Sequence, residues 1–222
     1  MVTISDQQKQ QASAWFYQLR DEIVASFQQL ENDHADGMMA EKPAGTFDVT
    51  TTQRQADDGG DAGGGLMSVL RGGRVFEKVG VNVSTVYGRL GDQAQAAMRA
   101  RPGLSDIADD PRFWASGISL VAHLQNPHCP AVHMNTRMFW TPKAWWFGGG
   151  SDLNPCIEYA EDTAHFHATQ KAHLDPHDPA LYPKLKAWAD EYFYVPHRKR
   201  ARGVGGIFMD DRCSGDWAAD FA

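Results

Sequence analysis

Residues 117–124 read GISLVAHL and residues 131–140 read AVHMNTRMFW. A β-strand sends successive side chains to opposite faces, so each run can be read face by face. In the first, Ile118, Leu120, Ala122 and Leu124 form an apolar face, and Ser119, Val121 and His123 form the other. In the second, Val132, Met134, Met138 and Trp140 share a face, and His133, Asn135 and Arg137 share its opposite. Runs of this kind predict strands of a mixed α and β fold, the first with its apolar face on a core. The polar face of the second holds an imidazole, an amide and a guanidinium side by side. A strand with one wet face also shows polar residues at every second position. Such strands usually carry Thr, Lys, Glu and Ser, however, so His, Asn and Arg together mark a candidate site.

Downstream, 145–150 read WWFGGG, followed by Ser151-Asp152-Leu153. Three glycines permit a sharp turn or close approach of a ligand, and paired tryptophans offer flat apolar area. The spacing fits neither GxGxxG nor GxxxxGK[ST], which disfavours a nucleotide. Eight of the nine histidines lie between His123 and His197, and six of the seven tryptophans lie beyond residue 110. The second half is thus expected to carry the chemistry. No HExxH motif occurs among these histidines.

Upstream, Ser5-Asp6-Gln7-Gln8 fits a capping box. Ala12, Phe16, Leu19, Ile23, Phe27 and Leu30 then recur at steps of three and four, predicting a core-covering helix over 6–31. Residues 34–65 dissolve into Gly, Asp, Thr and Ala, and a long flexible loop is expected there, either linker or lid. VFEKVGVNVSTVY, within 66–87, predicts two strands joined near Gly80. Further helices are expected over about 156–173, with Ala160, Ala164 and His167 on one stripe, and 182–194, with Leu185, Trp188, Ala189, Tyr192 and Phe193 apolar. His197-Arg198-Lys199-Arg200-Ala201-Arg202 is a cationic cluster, either a solvated face or an anion-steering patch. GGIFMDD predicts a last strand.

The formal charge is −7, with 42% hydrophobic and 22% charged residues, which describes one globular domain over 1–222 rather than a disordered chain. An acidic balance argues against nucleic-acid binding, which needs a basic footprint. No apolar run is long enough for a membrane span or a signal peptide. Cys129, Cys156 and Cys213 form neither a disulfide framework nor a CxxC pair, and a cytoplasmic location is expected.

Taken in order, VFEKVGVNVSTVYG, GISLVAHLQNPHCPAVHMNTRMFW, WWFGGGSDLNP, AHFHATQKAHLDPHDPALYPKLKAWADEYFYVPHR and RGVGGIFMDD resemble the oxygen-dependent coproporphyrinogen-III oxidase family of haem biosynthesis. The resemblance implies an α+β fold: a large antiparallel β-sheet flanked by helices on both faces. It further implies a homodimer, no organic cofactor, and O2 as co-substrate. The implied reaction is oxidative decarboxylation of two propionates of coproporphyrinogen III to vinyl groups, giving protoporphyrinogen IX. His133 is then the general acid/base and Asp152 the acceptor for the pyrrole N–H groups. Arg137 becomes a carboxylate clamp, with Ser119, Asn135 and Thr136 beside it on the substrate. His123, His133, His167 and His197 are the implied ligands of a divalent metal such as manganese. The family continues beyond Ala222 with further strands, so the last strands of the sheet are expected to be missing here. Two other readings stay open: a His/Asp metal-dependent hydrolase using Asp210 and Asp211, and a non-catalytic tetrapyrrole-binding fragment.

Overall fold

The computed structural model describes residues 4–34 and 36–222. In chain order it contains α1 (Asp6–Asp33), β1 (Asp48–Gln55), β2 (Asp61–Arg71), β3 (Phe76–Arg89), α2 (Asp92–Met98), β4 (Arg112–Leu124), β5 (Ala131–Trp140) and β6 (Trp145–Asn154). There follow α3 (Ala160–Leu174), α4 (Leu181–Tyr192), a small hairpin of β7 (Tyr194–Val195) and β8 (Arg200–Ala201), β9 (Gly206–Arg212) and α5 (Trp217–Phe221). Seven strands form one antiparallel sheet in the order β1-β2-β3-β4-β5-β6-β9. The first six neighbours follow the chain as a meander; β9 joins beside β6 only after two helices have intervened.

Each face of the sheet is covered differently. On the core face, Val79, Val81, Val83, Ile118, Leu120, Ala122 and Met138 are buried under α1, which contributes Ala12 and Phe16. The capping box holds that helix at its start: Ser5 Oγ accepts from the Gln8 backbone N–H at 3.2 Å, and Gln8 Oε1 accepts from Ser5 N–H at 2.8 Å. Leu30, expected on the apolar stripe, is exposed. Its neighbour Glu31 is the buried residue of that turn, because it accepts backbone N–H groups from Gly45, Arg74, Val75 and Phe76. On the opposite face α4 lies over β9, with Trp188 and Tyr192 against Phe208 at ring separations of 5.3 and 4.1 Å. Helices on both faces of an antiparallel sheet are therefore present, as the resemblance implied.

The expected loop over 34–65 is corrected. Residues 48–55 are β1, and β2 starts at Asp61. Its glycines belong to the sheet because the strands come so close there: a Cβ at Gly64 would stand 2.0 Å from Thr52 O, and one at Gly65 1.9 Å from Val83 O. A composition that reads as disorder is here a requirement of packing backbone on backbone. The turn between β2 and β3 lies at Gly72-Gly73 rather than near Gly80, which sits inside β3 opposite Val69 and Val121. Likewise WWFGGG is not a turn. Gly148, Gly149 and Gly150 are paired residues of β6, and a Cβ at Gly149 would stand 2.5 Å from Asn135 O. No helix of the described residues is long and apolar enough to cross a membrane.

Candidate active site

The face opposite the core carries the chemistry that strand alternation foresaw. In register, Ser119 lies opposite Asn135, Val121 opposite His133, and Gly117 opposite Arg137. One strand further, His133 lies opposite Asp152, Asn135 opposite Gly150, and Arg137 opposite Gly148. Gly148 and Gly150 leave this part of the floor without side chains. With α4 as one wall, the floor bounds a cleft of about 560 Å³ that contains His133, Asn135, Arg137, Asp152, Arg202 and Asp210. A second cleft of about 600 Å³ continues from Ser119, Asn135 and Arg137 toward Asn82 and Met67.

Two carboxylates organise the site. Asp152 is 1% exposed and gathers three side chains. His133 Nδ1 lies 3.0 Å from its Oδ1; Asn154 donates to Oδ2 at 2.9 Å; Arg202 donates to Oδ2 through Nε at 3.0 Å and Nη2 at 2.6 Å. His133 Nδ1 also lies 3.1 Å from the Asn154 amide nitrogen, so it faces an acceptor in Asp152 and a donor in Asn154. Arg202 also stacks on Phe193, 4.4 Å from the ring centre. Asp210, the second carboxylate, receives Arg137 on one oxygen and Arg101 on the other. Arg101 also donates to the Asp210 carbonyl at 2.8 Å and lies over Trp146. Arg137 donates to Asn135 Oδ1 at 3.1 Å. Of its five N–H groups, three then remain for a ligand carboxylate.

The structure brings together Ser119, His133, Asn135, Arg137 and Asp152 from the expected set. Thr136 lines the second cleft together with Ser119, Asn135 and Arg137, and its register partner is Ile118. The four histidines do not converge. His123 and His133 have ring centres 5.9 Å apart. His167, by contrast, has both nitrogens engaged, Nε2 with Val204 O at 3.0 Å and Nδ1 with the Tyr182 hydroxyl at 3.0 Å. His197 is exposed on the one-turn helix between β7 and β8. Among the described residues no three His, Cys, Asp or Glu side chains are grouped to hold a metal ion, so this arrangement does not fit the implied four-histidine site.

Sequence reasoning singled out neither Asn154 nor the individual role of Arg202. Asn154 could have been found, since it is two residues from Asp152 and so shares its face. Arg202 is 50 residues from Asp152 and was visible only as one cation of a cluster.

Comparison with known proteins places these residues in context. The family model described as "Coproporphyrinogen III oxidase" matches residues 11–222. An oxygen-dependent coproporphyrinogen-III oxidase of Rickettsia bellii (strain RML369-C) is 48% identical over 210 residues, covering 95% of this chain and 70% of that relative. Its namesake from Rickettsia peacockii (strain Rustic) is 45% identical over 214 residues, covering 96% and 71%. Another, from Rickettsia akari (strain Hartford), is 46% identical over 214 residues, covering 96% and 71%.

Proposed function

The chain belongs to the coproporphyrinogen III oxidase family, and from that premise we propose that it converts two propionates of coproporphyrinogen III to vinyl groups with O2 as oxidant. For each propionate, R–CH2–CH2–COOH plus O2 gives R–CH=CH2, CO2 and H2O2, so two electrons pass to oxygen as the C–C bond to the carboxylate breaks. The reduced tetrapyrrole is electron-rich enough to be the reductant, which leaves the protein to position, to move protons and to stabilise charge.

The observation that carries this reading is the His133–Asp152 pair beside Arg137 on one side-chain-poor floor. Arg137, pre-oriented by Asn135 and Asp210, offers N–H groups to a propionate. Asp152 stabilises positive charge developing on the macrocycle, and it accepts pyrrole N–H groups as His133, Asn154 or Arg202 gives way to the substrate. His133, held through Nδ1 by Asp152, accepts a proton beside the reacting carbon. Arg202 anchors Asp152 through a two-nitrogen charge-assisted contact. The hydrolase alternative loses support from the geometry, because both oxygens of Asp210 are taken by arginines rather than aimed at a metal-sized gap.

A cytoplasmic homodimer belongs to the same proposal. Three exposed, unpaired cysteines suit a reducing compartment. The outer edge of β1 is a row of backbone groups available to a partner.

The test is an assay of purified protein with coproporphyrinogen III in air and under argon, following product, CO2 and peroxide. Oxygen-dependent formation of protoporphyrinogen IX with matching CO2 is expected. Turnover that proceeds equally without oxygen, or binding without any turnover in air, refutes the enzyme assignment.

A further inference from the structure

The sheet face that carries His133 and Arg137 does not end with them. At its far end three basic side chains stand in cross-strand register, Arg71 on β2 opposite Lys78 on β3, and Lys78 opposite His123 on β4. All three are exposed. They border a cleft of about 440 Å³ that also contains Asn82 and Ser119, and it shares those two residues with the cleft running to Arg137.

Two departures from ordinary strand design put them there. Like charges directly opposite one another in an antiparallel pair destabilise it. Among the described residues, Arg71 and Lys78 have no ion pair or hydrogen bond that would offset this. Asp48, one register pair away opposite Val69, forms none with Arg71. The second departure is a β-bulge between Phe76 and Lys78. Phe76 is buried on the core face, and strict alternation would send Lys78 after it. The extra residue, Glu77, resets the alternation and delivers Lys78 to the cleft face, the kind of re-aiming for which bulges are used beside active sites.

Resting on the proposed reaction, the geometry points to Arg71, Lys78 and His123 as a second carboxylate-docking subsite, which holds a propionate arm remote from the one that reacts near His133. The row lies six residues along β4 from Gly117, the register partner of Arg137, or about 20 Å. A macrocycle with its arms extended, met from both ends by long basic side chains, spans that distance. Between the two ends the floor carries the small side chains of Asn82 and Ser119, paired with each other. A tetracarboxylate on a protein of net charge −7 needs such local cations, and Arg137 alone supplies one.

The experiment uses the Arg71→Ala/Lys78→Ala double variant, whose positions are exposed, with circular dichroism to confirm the fold. Coproporphyrin III, the oxidised and unreactive tetracarboxylate, is titrated by fluorescence, alongside its tetramethyl ester. We expect Kd for the acid to weaken at least about tenfold, the size of one lost charge-assisted contact. The ester should bind wild type and variant alike, and KM for coproporphyrinogen III should rise in step with Kd. Lys78→Arg in the Arg71→Ala background should recover part of the loss. Unchanged Kd for the acid overturns the subsite. So does a difference that vanishes entirely in about 1 M salt, where screening acts within roughly 3 Å and a long-range field alone is abolished. Wild-type protein that binds coproporphyrin III through these residues but turns nothing over would refute the enzyme reading and keep the subsite. An active wild type with indifferent variants refutes the subsite alone.

Discussion

Glu31 and Asp152 are both buried carboxylates, 0% and 1% exposed, and they are held in opposite ways. Glu31 accepts four backbone N–H groups: Gly45 at 2.8 Å and Arg74 at 2.7 Å on one oxygen, Val75 at 3.0 Å and Phe76 at 2.9 Å on the other. Those donors belong to the segment entering β1 and the turn entering β3, so Glu31 pins the end of α1 to both. A Cβ at Gly73 would stand 2.2 Å from its Oε1, so that turn must be glycine for the carboxylate to enter. Among the described residues Asp152 is held by side chains, His133, Asn154 and Arg202, all rotatable, of which His133 and Arg202 border the cleft. Backbone donors cannot leave without unfolding a turn, whereas side chains can exchange partners and protons as a ligand arrives. The nature of the donor, more than burial, separates a structural acid from a working one.

The comparison breaks most sharply at Asp152. Asp152→Asn keeps the shape and removes the charge, and kcat should fall by roughly 10²- to 10³-fold. Arg202 is about half exposed, so its charge stays hydrated and the unfolding free energy should drop by only about 1 kcal/mol. His133→Ala should cost roughly 10²-fold in kcat, the usual worth of a positioned general base. Steady-state kinetics beside denaturant melts check both; wild-type kcat in either variant removes that residue from the mechanism.

Glu31→Gln sharpens the other side. The amide presents its NH2 to two backbone N–H groups, so two buried donors lose their acceptor and stability should fall by about 2–3 kcal/mol. Activity per folded molecule should be retained, since no Glu31 partner lies in the cleft. A variant as stable as wild type but impaired in turnover would reverse the assignments of these two acids.

How much of this was legible beforehand depends on the range of each interaction. Side-chain direction in β4 and β5 follows from a period of two, a local property, so the shared face of Ser119, His123, His133, Asn135 and Arg137 could be read from sequence. The capping box at Ser5 and Gln8 was legible for the same reason. Glycines 63–65, 149 and 150 read as loop or turn because the cause of their presence, a neighbouring backbone within about 3 Å of where a Cβ would be, is tertiary. Arg202 on Asp152 and Arg101 on Asp210 span 50 and 109 residues and leave no local trace. Of the histidines that crowd together along the chain, His123 and His133 meet in space, whereas His167 is used to clip the Val204 carbonyl and Tyr182.

The smallest expected effect is the acid limb of stability, which tests the Glu31 cage without disturbing the fold at neutral pH. Burial alone would push this carboxyl up. The N–H groups of Phe76, Gly45, Arg74 and Val75 more than offset that, and its pKa lies below the ordinary 4.5. A group whose folded pKa is depressed contributes stability fully above its unfolded pKa, and the contribution is lost as pH falls through the folded one. Unfolding free energy of the wild type should therefore be flat with respect to Glu31 above about 4.5 and decline below it, while Glu31→Gln lacks that component. The difference between the two proteins, measured by urea melts at stepped pH, should narrow steadily in acid. A gap that stays constant from neutral pH down to pH 3 or so would mean that the four amides do not favour the ionised form, and that shape alone holds Glu31 in place.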